Sequence, residues 1–295
     1  MNKSILLIDG NSLLFKSFYA SYFRLKKGEE RTDDNEPINA IRLFAFMIIN
    51  LRLMYKDSLI LVAFDAKGVK TFRHEYDFYK AKRKKQPDEL YAQIPIAKEF
   101  LDLFGIKWIE DDEFLKNEAD DIIGIYAEAA KKQNYFVDIV TSDYDLLQLV
   151  DENVSVHLSK VGVTNMDDYT NENFYEKFNG LSPIQIPDLK GLMGDSSDNL
   201  SGIHGIGEKT AIDLLNKYYS IERIFDNVEE LKGKTKEKIL NGKKRGLKSK
   251  ELAKIKLKGE IKPEFNSLLP KKPNSELKKW LENKKLFNVI KKLNL

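Results

Sequence analysis

Nine acidic residues stand in short, separated motifs, each at the end of an apolar run or the start of a helix-like one. They are Asp9 in Ile-Asp-Gly-Asn, Asp65 in Ala-Phe-Asp-Ala-Lys, and Glu118, Asp120 and Asp121 in Glu-Ala-Asp-Asp. Asp143 and Asp145 follow in Thr-Ser-Asp-Tyr-Asp, and Asp195 and Asp198 in Gly-Asp-Ser-Ser-Asp-Asn. A lone Asp behind a strand is ordinarily a helix cap or a turn residue. Capping alone does not call for pairs such as Asp143 and Asp145, nor for so many repeats of one arrangement. Carboxylates gathered in one place repel each other unless a cation lies between them. Oxygen-only donors favour magnesium or manganese over zinc. The expectation is therefore a site for two or more Mg2+ ions, with Mn2+ able to substitute, that orients a phosphodiester and activates water.

A second constellation is Gly202-Ile203-His204-Gly205-Ile206-Gly207-Glu208-Lys209-Thr210. Glycines let a backbone approach a phosphate closely, and the helix that follows would turn free amides toward the anion. Lys209 adds a point charge. The spacing is not that of a Walker A loop; the motif reads as a non-sequence-specific grip on a DNA backbone, with a helix hairpin without a ligand as the alternative. In a third stretch, Arg73 to Lys85, the rings of Phe72, Tyr76, Phe78 and Tyr79 are interleaved with Arg73, Lys80, Lys82, Arg83, Lys84 and Lys85. Rings stack on unpaired bases while cations follow phosphates, which suits single strands. A solvated basic helix would look similar, but the position directly behind Asp65 favours the first reading. His74, His157 and His204 read as packing, polar or strand residues rather than ligands.

Positioning these groups falls to an alternation of strands and helices. Ile5 to Ile8 and Leu59 to Phe64 are continuous apolar runs and Val137 to Thr141 is a mostly apolar one interrupted by Asp138, as expected of parallel strands buried on both faces. Helical periodicity runs over Ile38 to Tyr55 and Asp120 to Gln133, with a helix-like stretch at Asp145 to Val150 and another strand at Val154 to Leu158. The pattern predicts an α/β doubly wound sheet, whose sites form outside the carboxyl ends of the strands, where Asp9, Asp65 and Asp143 fall. Residues 66–117 read as an excursion over the acidic cluster, including a helix from Leu90 to Phe104. A helical module begins near Ile184, with helices at Ile186 to Met193 and Glu208 to Tyr219. A lysine-rich helical segment follows, broken by Gly242, Gly246 and Gly259 and then by Pro263, Pro270 and Pro273. The domain expectation is 1–183 for the α/β core and 184–295 for the module.

At 295 residues, with 42% hydrophobic and 32% charged residues, the chain is of ordinary globular composition. No apolar run approaches the roughly 20 residues needed to cross a bilayer, and the N-terminus lacks a signal-peptide layout, so no membrane partner and a cytoplasmic location are expected. The absence of cysteine excludes disulfides, thiolate zinc sites and a cysteine nucleophile. The net charge of +3 is unevenly spread: from Glu230 onward 21 Lys/Arg face 7 Asp/Glu, giving +14, against −11 for the residues before it. A basic segment beside an acidic body points to a polyanionic partner.

Together these motifs resemble the 5′-nuclease family: the 5′→3′ exonuclease domain of bacterial DNA polymerase I, its free-standing bacterial and phage relatives, and the flap endonucleases. The resemblance runs from Ile5 to about Asp226. It rests on Phe-Asp-Ala-Lys, Phe-Arg-His-Glu, Tyr-Lys-Ala-x-Arg, Glu-Ala-Asp-Asp, Asp-x-Asp-Leu and Gly-Asp-Ser-Ser-Asp-Asn followed by Gly-Ile-Gly-Glu-Lys-Thr-Ala. It implies an α/β fold with a parallel-rich central sheet flanked by helices (PIN-like or resolvase-like), a helical arch, and a C-terminal helix–three-turn–helix module. Asp65, Glu118 and Asp120 would line one metal site, with Asp9 and Asp121 close by. Asp143, Asp145 and Asp198 would line another, supported by Asp195. Lys80 and Arg83, with Asp120 and Asp143, would carry catalysis. Arg73 and Lys190 would contact phosphate and Tyr79 would stack on a base. Gly202, Gly205, Gly207 and Lys209 would grip duplex, where relatives can bind K+ through loop carbonyls. The implied activity is Mg2+-dependent 5′→3′ exonuclease and 5′-flap endonuclease action in replication and repair. Its partners would be flaps, nicked or branched duplex, single-stranded 5′ ends and RNA primers, alongside a separate DNA polymerase. Ser201 replaces a proline common in relatives, and Asp34-Asn35-Glu36-Pro37 lacks a glycine often found there. A smaller PIN-type ribonuclease and a DNA-binding accessory protein with vestigial metals are the rival readings.

Overall fold

The computed structural model describes residues 3–66, 71–83, 85–111, 117–259 and 261–295. Lys67 and Lys84, which belong to two of the motifs above, lie outside these. Six strands, β1 (Ser4–Asp9), β2 (Leu59–Phe64), β3 (Lys107–Glu110), β4 (Phe136–Thr141), β5 (Val154–Val161) and β6 (Asn165–Tyr169), form one sheet in the order β3-β2-β1-β4-β5-β6. All neighbours pair parallel except β5 and β6. β1 sits in the middle, with Ile5 in register with Leu59 on one side and Val137 on the other. The strand order reverses between β1 and β4, so a crevice opens there at the carboxyl ends.

Alternation along each strand explains the unbroken apolar runs. Leu6, Ile8, Ile60, Val62 and Phe64 face one core and Ile5, Leu7, Leu61, Ala63, Val137 and Ile139 the other. The first core is closed by α1 (Gly10–Lys26), α2 (Asn39–Met54), the one-turn α3 (Asp88–Tyr91) and α4 (Gln93–Phe104). The second is closed by α5 (Ala119–Lys132), the 3-10 segment Tyr144–Leu149 and the short α6 (Phe174–Lys177). A separate helical core gathers α7 (Ile186–Met193), α8 (Glu208–Tyr218), α9 (Ile221–Asp226) and α10 (Gly233–Ala253) around Ile203, Leu215, Ile221 and Ile239.

Several expectations need correction. The excursion does not extend to 117: α4 packs Phe100, Leu101 and Phe104 into the first core, and β3 joins the sheet. Gly242 and Gly246 do not break the lysine-rich helix. They lie on its buried face, where a Cβ at Gly242 would come within 2.4 Å of Ile203 Cγ2 and one at Gly246 within 3.0 Å of Ile221 Cδ1. The helix continues because close approach to those isoleucines offsets the glycine penalty. Nor does the module run to the C-terminus. After Lys254 the chain returns to the α/β body, with Ile255, Phe265 and Leu268 in the second core. Leu277 and Leu281 of α11 (Leu277–Asn283), Leu286, and Val289 of α12 (Phe287–Leu293) complete the first. His157 does more than fill its strand: it bridges Asp138 of β4 at 2.8 Å and Asp168 of β6 at 2.7 Å. No helix among the described residues is long and apolar enough to cross a membrane.

Candidate metal and nucleic-acid site

The crevice at the switch point is a cleft of about 1710 Å3 lined by Asp9, Asp65, Glu118, Asp120, Asp143, Asp145 and Asp195 together with Lys80, Arg83 and Lys190. Asp9 ends β1 and caps α1, accepting from the Ser12 N–H at 2.9 Å and the Thr141 hydroxyl at 2.8 Å. One carboxylate thus both caps α1 and lines the cleft. Asp65, one residue past β2, accepts from the Ala119 N–H at 2.8 Å and the Asn11 amide at 3.1 Å, which ties the first turn of α5 to the sheet edge. Asp143 accepts from the Asp145 N–H at 2.9 Å as the 3-10 segment begins. Asp145 and Asp195 share the Lys190 ammonium.

The basic stretch folds onto the acids. Lys80 has a left-handed backbone (φ 54°), unusual for a residue with a side chain. Its N–H donates to the Asp198 carbonyl at 2.9 Å and its ammonium to Glu118 at 3.0 Å. The Asn199 amide donates to the Phe78 carbonyl at 2.6 Å, so the Asp195–Leu200 turn is docked on the same stretch. Arg83, half exposed, reaches Asp198 at 3.4 Å.

The structure does not bring every expected residue to the cleft. Asp121 is 0% exposed and Arg73 3%, and they pair with each other instead. Tyr79 is 5% exposed, packed with Leu200, Leu252 and Ala253 while its hydroxyl donates to Glu118 at 3.2 Å, so it offers no free face for a base. Lys190 does line the cleft, but its ammonium is engaged by Asp145 and Asp195. Asn11, Ser12, Phe15, Lys16 and Tyr19 were missed, although all line the cleft. The 12, 15, 16, 19 spacing in α1 is a helical stripe that would have found four of them.

Charge divides the acids into two groups. Burial alone would raise Glu118, but Lys80 and Arg73 hold it below the usual value. Burial likewise opposes Lys190 and Ser197 at Asp195, yet they bring that carboxyl down to about 2. At the central acids burial outweighs the cations nearby: Lys190, Lys80 and Arg83 act to lower Asp143, Lys80 and Arg83 Asp65, and Lys80 Asp120, without reversing the rise. Burial, reinforced by Asp65 and Asp143, pushes Asp9 up to about 7. Asp120 is raised well above the usual value by burial and by Asp143, Asp9 and Asp65, and burial also raises Asp65 and Asp143. This concentration of carboxylate oxygens fits hard divalent cations in donor type and in charge. Among the described residues no three of the acids close around a point that could hold an ion as they stand.

Away from the cleft, Gly202 takes a left-handed φ of 55° where its backbone meets that of Gly194, and a Cβ there would come within 2.2 Å of the Gly194 nitrogen. The Ile203 N–H donates to the Leu192 carbonyl at 2.8 Å, which fixes the loop to α7. Gly205, Gly207 and Lys209 are exposed at the start of α8, and the Lys238 ammonium donates to the Gly205 carbonyl at 2.8 Å.

Residues 4–179 match the family described as 5′-3′ exonuclease, N-terminal resolvase-like domain, and residues 181–276 match 5′-3′ exonuclease, C-terminal SAM fold. The chain is 44% identical over 242 residues to a 5′-3′ exonuclease of Mycoplasma pneumoniae, covering 81% of this chain and 80% of that protein. It is 42% identical over 255 residues to DNA polymerase I of Bacillus subtilis, covering 86% of this chain but only 28% of the polymerase's length. Among solved structures it resembles the T5 5′-exonuclease, with a TM-score of 0.65 and 20% identity over 85% of this chain and 89% of that one. Flap endonuclease-1 from Methanococcus jannaschii gives a TM-score of 0.60 and 20% identity over 99% and 94%. At such identities the two structures bear on the fold alone.

Proposed function

The chain belongs to the 5′-3′ exonuclease family, and on that premise we propose that it hydrolyses DNA phosphodiesters at 5′ ends and 5′ flaps with divalent cations. The observation that carries this reading is the meeting of seven carboxylates from β1, β2, α5, β4 and the loop after α7 with Lys80 and Arg83 in one cleft. Asp9, Asp65, Glu118, Asp120, Asp143, Asp145 and Asp195 are the residues that would hold the ions, with Asp198 behind them; Asp121 is left out. Bound Mg2+, or Mn2+ in its place, would supply Lewis-acid charge to polarise the phosphodiester and acidify water. The protein's own part is to place substrate. Lys80 and Arg83 bring positive charge to where charge builds on phosphoryl oxygens. Asp9, Asp65 and Asp143 are each held at the cleft by backbone or hydroxyl donors.

The exposed Gly205, Gly207 and Lys209, with the free amides of the α8 N-terminus, are suited to a duplex backbone. A potassium ion at this loop would have to use carbonyls other than that of Gly205, which Lys238 already engages. Flaps, nicks, single-stranded 5′ ends and RNA primers are the proposed substrates, and primer removal beside a separate DNA polymerase is the proposed setting.

An end-labelled 5′-flap duplex incubated with and without Mg2+ tests the proposal. Metal-dependent release of short products is expected, with Asp120→Asn at least about 100-fold slower. Cleavage that persists in EDTA, or that is confined to RNA, would defeat it. Lys80→Ala should lower turnover while leaving binding intact. Lys209→Ala should weaken binding and reduce the slope of log affinity against log salt by about one.

A further inference from the structure

Arg73 opens a basic stretch of the chain and yet is turned inward. Its guanidinium donates to Asp121 Oδ2 at 2.7 Å and Oδ1 at 2.9 Å, to the Leu252 carbonyl at 2.9 Å and to the Lys254 carbonyl at 2.6 Å. A further nitrogen contact reaches Glu118 at 3.8 Å. Asp121 is as fully used, because it also accepts from the N–H groups of Glu118 at 3.2 Å and Lys256 at 2.9 Å. A planar fork meeting a carboxylate in two parallel bonds has one preferred geometry.

The pair joins three segments that are far apart in sequence. One is the 3-10 turn Phe72–Glu75, which leads into Lys80 and Arg83. Another is the first turn of α5, where Asp121 lies beside Glu118 and Asp120. The third is the exit of α10, the helix whose Gly242 packs on Ile203 of the duplex-gripping loop.

We infer that Arg73 and Asp121 form a positioning latch that fixes the spacing between the duplex-gripping loop and the cleft carboxylates, neither residue touching metal or DNA. The inference rests on the nuclease reading above and assigns these two residues a role apart from the ligands and phosphate contacts. Duplex held by the loop and a phosphodiester in the cleft belong to one substrate molecule, so this spacing must be held for the scissile bond to meet the acids. A misplacement of about 1 Å can cost about 100-fold in rate even when it arises far from the chemistry.

The test compares Arg73→Ala, Arg73→Lys, Asp121→Asn and the double variant Arg73→Ala/Asp121→Asn. Four quantities are read: single-turnover cleavage of a flap duplex, flap affinity without divalent metal, the half-activating Mg2+ concentration, and amide hydrogen exchange in the metal-free, DNA-free protein. Either single variant, Arg73→Ala or Asp121→Asn, should slow single-turnover cleavage by about 10- to 100-fold. Affinity and half-activating Mg2+ should stay at the parent values. Amides of 118–122 and 252–256 should exchange faster together, and the double variant should be no slower than the poorer single. Arg73→Lys keeps the charge without the fork and should fall between parent and Arg73→Ala. Should Arg73→Ala not fold, Arg73→Lys and Asp121→Asn carry the same comparisons.

A rise in half-activating Mg2+ confined to Asp121→Asn would make that residue a metal ligand and overturn the latch. Weaker binding with a shallower salt slope, confined to the Arg73 variants, would make Arg73 a phosphate contact and do the same. Unchanged exchange at 252–256 in every variant would also overturn it. An inactive parent would sink the nuclease reading instead, and the exchange data would still decide on the latch.

Discussion

Asp9 and Asp120 resist taking up negative charge, because burial and neighbouring carboxylates outweigh the donors and cations around them, and this sets how the molecule should respond to acid and to metal. The folded Asp9 carboxyl titrates at about 7 against an ordinary 3.8, chiefly because it is buried. A raised value means that its stabilising contribution is fully present below about pH 4 and is lost as the pH rises through about 7. Divalent cations should reverse that loss. Mg2+ is expected to raise the melting temperature more at pH 8 than at pH 6, and Asp120→Asn should shrink the difference. Equal shifts at both pH values would show that the acids are not what the cation meets. Most cleft residues could be read from the sequence because each acid follows an apolar strand or opens a helix. Arg73, Asp121 and Tyr79 were misread for a physical reason: a motif conveys residue type and spacing, but not which way a side chain turns. Burial of a matched Arg–Asp pair satisfies both charges without a ligand.

Among the elements, β1, β2 and β4 were legible because strands covered on both faces are predominantly apolar, Asp138 of β4 being the exception that His157 pairs. β3 and β6 were not, since Lys-Trp-Ile-Glu and Asn-Met-Asp-Asp-Tyr are short and mixed, as strands at the rim of a sheet can be. α1 has no counterpart among the helices expected from the sequence; Asp9 caps it and Gly10, Asn11 and Ser12 open it. α10 shows the opposite error, with glycines taken for breaks when they are points of contact. Gly242→Ala would gain about 1 kcal/mol in helix propensity, but overpacking against Ile203 should cost about 1–3 kcal/mol. Lower stability in urea is expected, and little or no loss when the same change is made in an Ile203→Ala background; stabilisation of the parent would contradict the close packing.

The sheet supplies a pH test as well. Burial would lower the His157 value, but Asp138 and Asp168 outweigh it and raise it above 6.5. The bridge should therefore contribute fully below about pH 6.5 and fade as the pH climbs through the raised value. Denaturant titrations from pH 6 to 9 should show that decline in the parent and a flatter profile in His157→Gln.

For the molecule as a whole, the chain passes from α/β body to helical module and back. The return decides where it can be cut. Leu277, Leu281, Leu286 and Val289 are fully buried against the first core. Lys271 and Asn274 N–H groups also donate to the carbonyls of Gly105 and Leu103 at 2.8 and 2.7 Å. Each aliphatic side chain is worth about 1.5–3 kcal/mol, and the four together approach the stability of an ordinary domain, about 5–15 kcal/mol. Truncation after Ala253 is expected to abolish cooperative thermal unfolding, and a truncated chain melting with the parent would refute this. Part of the lysine-rich end serves the body: Lys284 and Lys285 pair with Glu36 and Asp33. The two rims of the sheet have a consequence of their own. A bare strand edge invites a neighbouring chain to add to it, and the outermost strands here are four and five residues long and carry Lys107, Glu110, Asp167 and Asp168. Such borders make poor templates, so crowded copies of the protein should resist stacking into fibrils.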